Sequence, residues 1–105
     1  MDYQVTLLEP ALLDLESQVI YKAQESDEKA LEHSDRIFTA ASTLKNHPHR
    51  GKLIPWLGSN YRELVLKPDY HLVYQVDDEA LTVEICAVIH SSQDFRNAWL
   101  SRERT

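Results

Sequence analysis

A chain of 105 residues is the length of one small domain, able to bury a core but too short for a second domain or a long lid. With 43% hydrophobic and 27% charged residues it has the composition of a soluble globular fold, and no apolar run approaches the ~20 residues of a membrane-spanning helix. The net charge of −6 argues against general binding of nucleic acid through its phosphates.

Tyr3, Val5 and Leu7 alternate with Gln4 and Thr6, the period of a half-buried strand. Pro10 suits the first turn of a helix, where a missing N–H leaves no bond unmade. Leu12, Leu15, Val19 and Ala23 then recur at three- and four-residue spacing, and with Leu13 and Ile20 they form a stripe predicted to be buried. Ser26 or Asp27 is predicted to cap a second helix, whose stripe is Leu31, Ser34, Ile37, Phe38, Ala41 and Leu44. Two helices with so short a link make an antiparallel hairpin that needs a sheet to cover it.

Pro48 disfavours helical geometry in the residue before it, so the second helix is predicted to end near Asn46. A loop containing Gly51 and Gly58 leads to three predicted strands, 61–67, 70–77 and 80–89, with turns at Lys67-Pro68-Asp69 and Asp77-Asp78-Glu79. The last strand is β-branched and largely apolar, which predicts an interior place in the sheet. Ser91 or Ser92 is predicted to cap a final helix in which Phe95, Ala98, Trp99 and Arg102 share a face. The order predicts an α+β fold, β-α-α-β-β-β(-α), with a helical hairpin packed on a small, mostly antiparallel sheet and one domain over 1–105.

The start, MDYQVTLLEP, lacks the basic and long apolar segments of a signal peptide, and the single Cys86 cannot form an internal disulfide, so a cytoplasmic protein is expected. Charge is unevenly spread. Between Glu9 and Asp35 eight acids stand against Lys22 and Lys29, whereas between Lys45 and His71 five bases stand against Glu63 and Asp69, beside His47, His49 and His71. Such asymmetry points to a surface that meets a charged partner. His47-Pro48-His49 lacks a third ligand nearby and predicts no metal site; Cys86 belongs in the core.

The chain resembles the RelE/ParE superfamily of toxins from type II toxin-antitoxin systems over nearly its whole length. The resemblance is carried by Leu44 before the loop with Pro48 and Gly51, by Arg62-Glu63-Leu64-Val65, by Tyr70 and Tyr74, and by Val88-x-His90. It implies a toxin neutralised by a cognate antitoxin, whose C-terminal segment wraps the helical hairpin and the groove beside it. ParE-like members poison DNA gyrase, block replication and act in plasmid stabilisation; this is the leading expectation, from the Arg-Glu-Leu-Val and Val-x-His spacing together with a surface that is acidic rather than cationic. It implies no catalytic group, cofactor, metal or membrane partner.

RelE-like members are ribosome-dependent endoribonucleases that cut mRNA, the alternative expectation. Cleavage through the 2′-OH needs a base, cations for the phosphorane and an acid for the leaving oxygen. Here Arg62 would supply the cation, His90 the acid or base, and Asp69 or His71 a second proton-transfer group. Lys52, Arg62, Lys67, His71, His90 and Arg96 are the candidates for contact with either target, with Arg62 and His90 expected close together and His71 at their margin. Ser91 and Ser92 stand where many relatives place arginine, which leaves a third expectation, a non-toxic binding module that keeps the fold.

Overall fold

The computed structural model describes residues 2–103. Strand β1 (Gln4–Leu7) runs into helix α1 (Glu9–Glu25), and α2 (Asp27–Thr43) folds back on it. A two-residue strand β2 (Lys52–Leu53) and a 3-10 turn (Pro55–Leu57) precede β3 (Tyr61–Leu66), β4 (Tyr70–Asp77) and β5 (Thr82–His90), and α3 (Phe95–Glu103) ends the described chain. The α+β hairpin-on-sheet architecture agrees with the sequence, with β2 as an addition in the predicted loop.

Ser26 alone turns the chain between the two long helices. Its extended backbone (φ −164°) breaks the helix, its N–H donates to the Lys22 carbonyl, and its Oγ accepts from the Lys29 N–H at 3.3 Å. One residue thus closes α1 and caps α2.

The five strands lie in the order β1-β5-β4-β3-β2. β1 pairs parallel with β5, and every other neighbour is antiparallel. β5 is interior, as its composition predicts. Cys86 is the extra residue of a bulge, since Tyr74 faces Ile85 while Val73 faces Ala87, and it is buried.

Alternation along the strands gives the sheet two apolar faces. Leu64, Leu72, Tyr74, Val76, Val83, Ile85 and Val88 pack under the helical hairpin with Ala11, Leu15, Ile37, Ala41 and Leu44. On the other face Val73, Ala87 and Ile89 meet Ile54 and are flanked by Leu57, Tyr61, Phe95 and Trp99.

The helix stripes are rotated from those predicted. Ala11, Leu15 and the half-buried Val19 face inward on α1, whereas Leu12, Leu13 and Ile20 are exposed; on α2 Ala30, His33, Ile37, Ala40 and Ala41 are buried, whereas Leu31 (67% exposed) and Phe38 are not. Alanines let the hairpin sit close to the sheet, and the space beside them is taken by polar side chains. The reason lies at the sheet edge. β1 stops pairing at Leu7 opposite Ile85, while β5 continues to His90 and leaves backbone groups without a strand partner. Asp14 Oδ2 accepts from the Val88 N–H at 2.9 Å, and Gln18 Nε2 donates to the Val88 carbonyl at 2.9 Å. Two polar residues of α1 therefore complete the edge that β1 does not reach.

At the end of the sheet, Asp94 rather than Ser91 or Ser92 caps α3: its carbonyl accepts from Ala98 N–H and its Oδ1 from Asn97 N–H. Ser92 instead bonds His90. Phe95 and Trp99 pack as predicted, with ring centroids 6.0 Å apart; the side chain of Arg102 lies outside the described residues.

Candidate functional site

Register decides which candidate residues meet. Arg62 faces Tyr74, which faces Ile85; His90 faces Tyr70, which faces Leu66. Four residues of β4, Tyr70 to Tyr74, separate the level of Arg62 from that of His90, about 13 Å along the sheet at ~3.3 Å per residue, since one of the five β5 steps is the bulge. Arg62 and His90 share the helix-covered side but lie at opposite ends, and His71, one residue out of phase, lies on the α3 side. The expected patch joining Arg62 and His90 with His71 at its margin is not formed.

Arg62 serves the fold at its end. Nη1 donates to the Gly51 carbonyl at 2.7 Å and to the His49 carbonyl at 3.1 Å. The Gly51 N–H donates to the buried Tyr74 hydroxyl at 2.9 Å, so Arg62 and Tyr74 clamp one glycine of the long loop from both sides. A side chain at Gly51 would meet the Tyr74 oxygen at 2.6 Å and the Glu63 carbonyl at 2.8 Å, which explains the glycine. Burial pushes the Tyr74 hydroxyl pKa up. Nearby, Asp78 accepts from Tyr3 at 2.6 Å and lies 2.9 Å from His49 Nε2; the Tyr3 hydroxyl is the larger cause of its lowered pKa.

The opposite end gathers the chemistry around Tyr70. Its ring lies 4.4 Å from that of His33 and 5.0 Å edge-on from that of His90, with Lys22 Nζ at 5.4 Å and Arg36 Cζ at 5.8 Å from its centroid. Arg36 Nη2 donates to Asp69 Oδ1 at 2.9 Å and to the carbonyls of Leu66 and Lys67 at 2.8 and 2.9 Å, fixing the β3–β4 turn to α2. The Ser91 N–H donates to the Asp69 carbonyl at 2.7 Å and ties the end of β5 to the same turn. Asp69 and His90 are thus brought to one end as the nuclease expectation requires, but the cation beside Asp69 is Arg36, not Arg62.

His33 is 3% exposed. Gln18 Nε2 already donates to Val88, so Gln18 Oε1 is the acceptor that faces His33 Nε2 at 2.8 Å, and His33 Nε2 carries the proton. His33 Nδ1 is buried without a partner among the described residues. Burial first, then the nearby Lys22 and Arg36 charges, lowers its pKa to about 4, so the ring is neutral at pH 7. Burial also raises the Tyr70 pKa.

His90 Nδ1 accepts from the Ser92 N–H at 3.0 Å and lies 2.7 Å from the Ser92 hydroxyl, which leaves Nε2 as the protonated nitrogen of the neutral ring. His71 is half-buried and its Nδ1 bonds Glu63 Oε1, an imidazole oriented by a carboxylate. Lys52 lies on the exposed edge strand opposite Glu63, Lys67 is exposed in the turn, and Arg96 stacks over Trp56 with Cζ 5.2 Å from the ring centroid.

Lys22, His33 and Arg36 are absent from the sequence-based candidates. Their spacing held a partial signal, since His33 and Arg36 are three residues apart and share a helix side. Their meeting with Tyr70 depends on the helix phase, which alternating leucines misplace.

The family model of the ParE toxin of type II toxin-antitoxin systems (parDE) matches residues 5–95. A chain of the RelBE2 toxin-antitoxin complex from Mycobacterium tuberculosis superposes with a TM-score of 0.61 at 26% identity, over 86% of this chain and 99% of that one. A chain of the chromosomal ParDE system from P. aeruginosa superposes with a TM-score of 0.70 at 18% identity, over 84% of this chain and 95% of that one; at that identity the likeness is one of fold. A search of curated proteins finds no significant sequence match. Among the described residues, no helix is long and apolar enough to cross a membrane.

Proposed function

The chain belongs to the ParE toxin family, within the RelE/ParE superfamily of type II toxin-antitoxin toxins, and from that premise we propose that it acts by binding and poisoning DNA gyrase rather than by cutting RNA. One observation carries the choice. The cation that cleavage would take from Arg62 is bonded to two backbone carbonyls, about 13 Å along the sheet and two strands across from His90. A base, an acid and a phosphorane-binding cation have to converge within hydrogen-bond reach of one phosphate. Arg62 is remote from the other two groups, so its place in the fold supports a structural role and a toxin that works by contact. Lys52, Lys67, His71 and Arg96 are then contact candidates on the α3 side of the sheet, away from the helical hairpin, and at its turn.

The antitoxin is assigned to the other side. Leu12, Leu13, Ile20, Leu31 and Phe38 are exposed on an acidic hairpin, which supports a segment combining apolar anchors with basic residues. Gyrase supercoiling with purified chain tests the target. Inhibition with accumulation of cleaved DNA is expected, reversed by antitoxin; undiminished supercoiling at stoichiometric excess overturns the reading.

The second reading, a ribosome-dependent endoribonuclease, is favoured by Asp69, Arg36 and His90 meeting around Tyr70. Cleavage of mRNA on programmed ribosomes that is lost in His90→Ala would establish it.

A further inference from the structure

The two sides of the sheet differ in charge as well as in cover. The eight acids between Glu9 and Asp35 all stand on α1 or α2, whereas Lys52 and Arg96 lie on the α3 side and Lys67 in the turn that borders it. None of these three exposed cations makes an ion pair among the described residues. The carboxylate opposite Lys52 is Glu63, and its Oε1 is taken by His71 Nδ1. Of the other acids on this side, Asp94 caps α3, and Asp77 and Glu84 lie towards the β4–β5 turn.

The unmatched cations surround an apolar centre. Trp56 is 41% and Val65 48% exposed beside α3. Val65 faces His71 across the β3–β4 pair and stands two residues from Glu63, the partner of Lys52. The indole of Trp56 is fixed by its neighbours: the Phe95 ring lies 5.4 Å from it between centroids, and Arg96 Cζ lies 5.2 Å from its centroid. Stacking holds the Arg96 guanidinium in place while it donates no hydrogen bond among the described residues, so its fork of N–H groups is positioned for a carboxylate. A tryptophan and an arginine fixed beside an apolar neighbour, with charge at the margin, have the composition of a protein-binding hot spot.

Nucleic acid fits this surface less well. A duplex carries one charge per ~1.7 Å and asks for a row of cations, whereas this side offers three around an indole and a valine, on a chain of net charge −6. We infer that the toxin meets its target through the α3 side, with Trp56 as the anchor and Arg96, Lys52 and Lys67 paired with carboxylates of an acidic segment of the target protein. The inference rests on the reading of a toxin that works by contact; it adds which residues anchor the contact and what the partner presents. Acids on the hairpin repel the same segment, so the separation of charge between the two sides orients the encounter.

Surface variants of the full chain test this in two assays, growth arrest on induction and binding to purified DNA gyrase in the absence of DNA. Arg96→Glu and Lys52→Glu are each expected to weaken binding about tenfold, chiefly through slower association, and a rise in salt from roughly 0.05 to 0.5 M is expected to weaken the unaltered chain by at least about tenfold. Trp56→Ala is expected to weaken binding about thirtyfold. Because that variant also loses packing on Phe95, its unfolding midpoint is measured alongside; where it unfolds, the two charge reversals decide, since Lys52 and Arg96 are exposed. Glu28→Lys, on the hairpin, is expected to weaken neither readout.

Undiminished growth arrest in the folded variants would overturn the surface, whatever the target. Arrest by the unaltered chain without binding to gyrase would remove the gyrase reading alone, and loss of arrest in the variants would still place the contact on the α3 side. Binding that needs DNA and is competed by linear duplex would make phosphates the partner and overturn the acidic protein segment.

Discussion

The two ends of the sheet carry similar residue types and use them differently. At the Arg62 end an arginine and a tyrosine hydroxyl close on the backbone of Gly51, and both are occupied by the bonds that hold the loop. At the Tyr70 end an arginine also holds a turn, but Lys22 makes no ion pair and His33 Nδ1 no hydrogen bond among the described residues, and the Tyr70 ring joins two imidazoles and two cations. An arginine on a strand beside a conspicuous loop is therefore no guide to chemistry until its donors are accounted for.

The contrast is open to direct attack. If the Arg62 end is a clamp, Gly51→Ala should do the greatest damage, because its Cβ has no room between the Tyr74 hydroxyl and the Glu63 carbonyl. A loss of about 3 kcal/mol in urea unfolding is expected, and a neutral result would mean that the loop is not held there.

At the other end, pH replaces steric strain as the probe. The folded-state pKa of His33 lies at about 4, below the ~6.5 of an unfolded chain, so the unfolded state binds the proton more readily. Stability from this group is complete above about pH 6.5 and is lost as pH falls towards 4, by up to about 3 kcal/mol. A pH series of unfolding free energies should show that fall, and the part of it due to the imidazole should vanish in His33→Gln.

Next comes Arg62→Ala, which removes two charge-assisted hydrogen bonds and should lower stability by about 2 kcal/mol while the protein that remains folded keeps its toxicity. Full stability with abolished toxicity would move Arg62 from the clamp to the active surface. The smallest effect is expected for Tyr70→Phe, since no hydrogen bond to its hydroxyl is seen among the described residues; a change within about 0.5 kcal/mol in the same unfolding assay would leave the ring, rather than the hydroxyl, as the structural element.

Much of the fold was legible because it rests on local signals. Alternation marked β3 and β4, a β-branched run marked β5 as interior, and Ser26-Asp27 marked the helix turn, with Ser26 the residue that caps. The helix phases were not legible. Leu12, Leu13, Leu31 and Phe38 suggested the buried stripes, yet α1 and α2 turn their alanines to the sheet and their leucines outward, where the antitoxin is proposed to bind. Asp14 and Gln18 face inward because β5 outruns β1 and its backbone at Val88 needs polar partners, a fact of register invisible in any one segment. The same limit governed the site. His90 and Asp69 were singled out and lie at the same end of the sheet, where the Ser91 N–H bonds the Asp69 carbonyl in the turn that Arg36 anchors. Arg62 and His71 looked like neighbours in one hairpin, but period-two alternation sends them to opposite faces, with His71 bonded to Glu63.

Pulse-labelling of DNA and protein synthesis in the first minutes after induction without antitoxin tests the central claim most directly. A fall in DNA synthesis that precedes any fall in translation is the result predicted for a toxin that works by contact with gyrase. Translation arrested first, with DNA synthesis unaffected, would contradict it and return the chemistry to His90, Asp69 and Arg36.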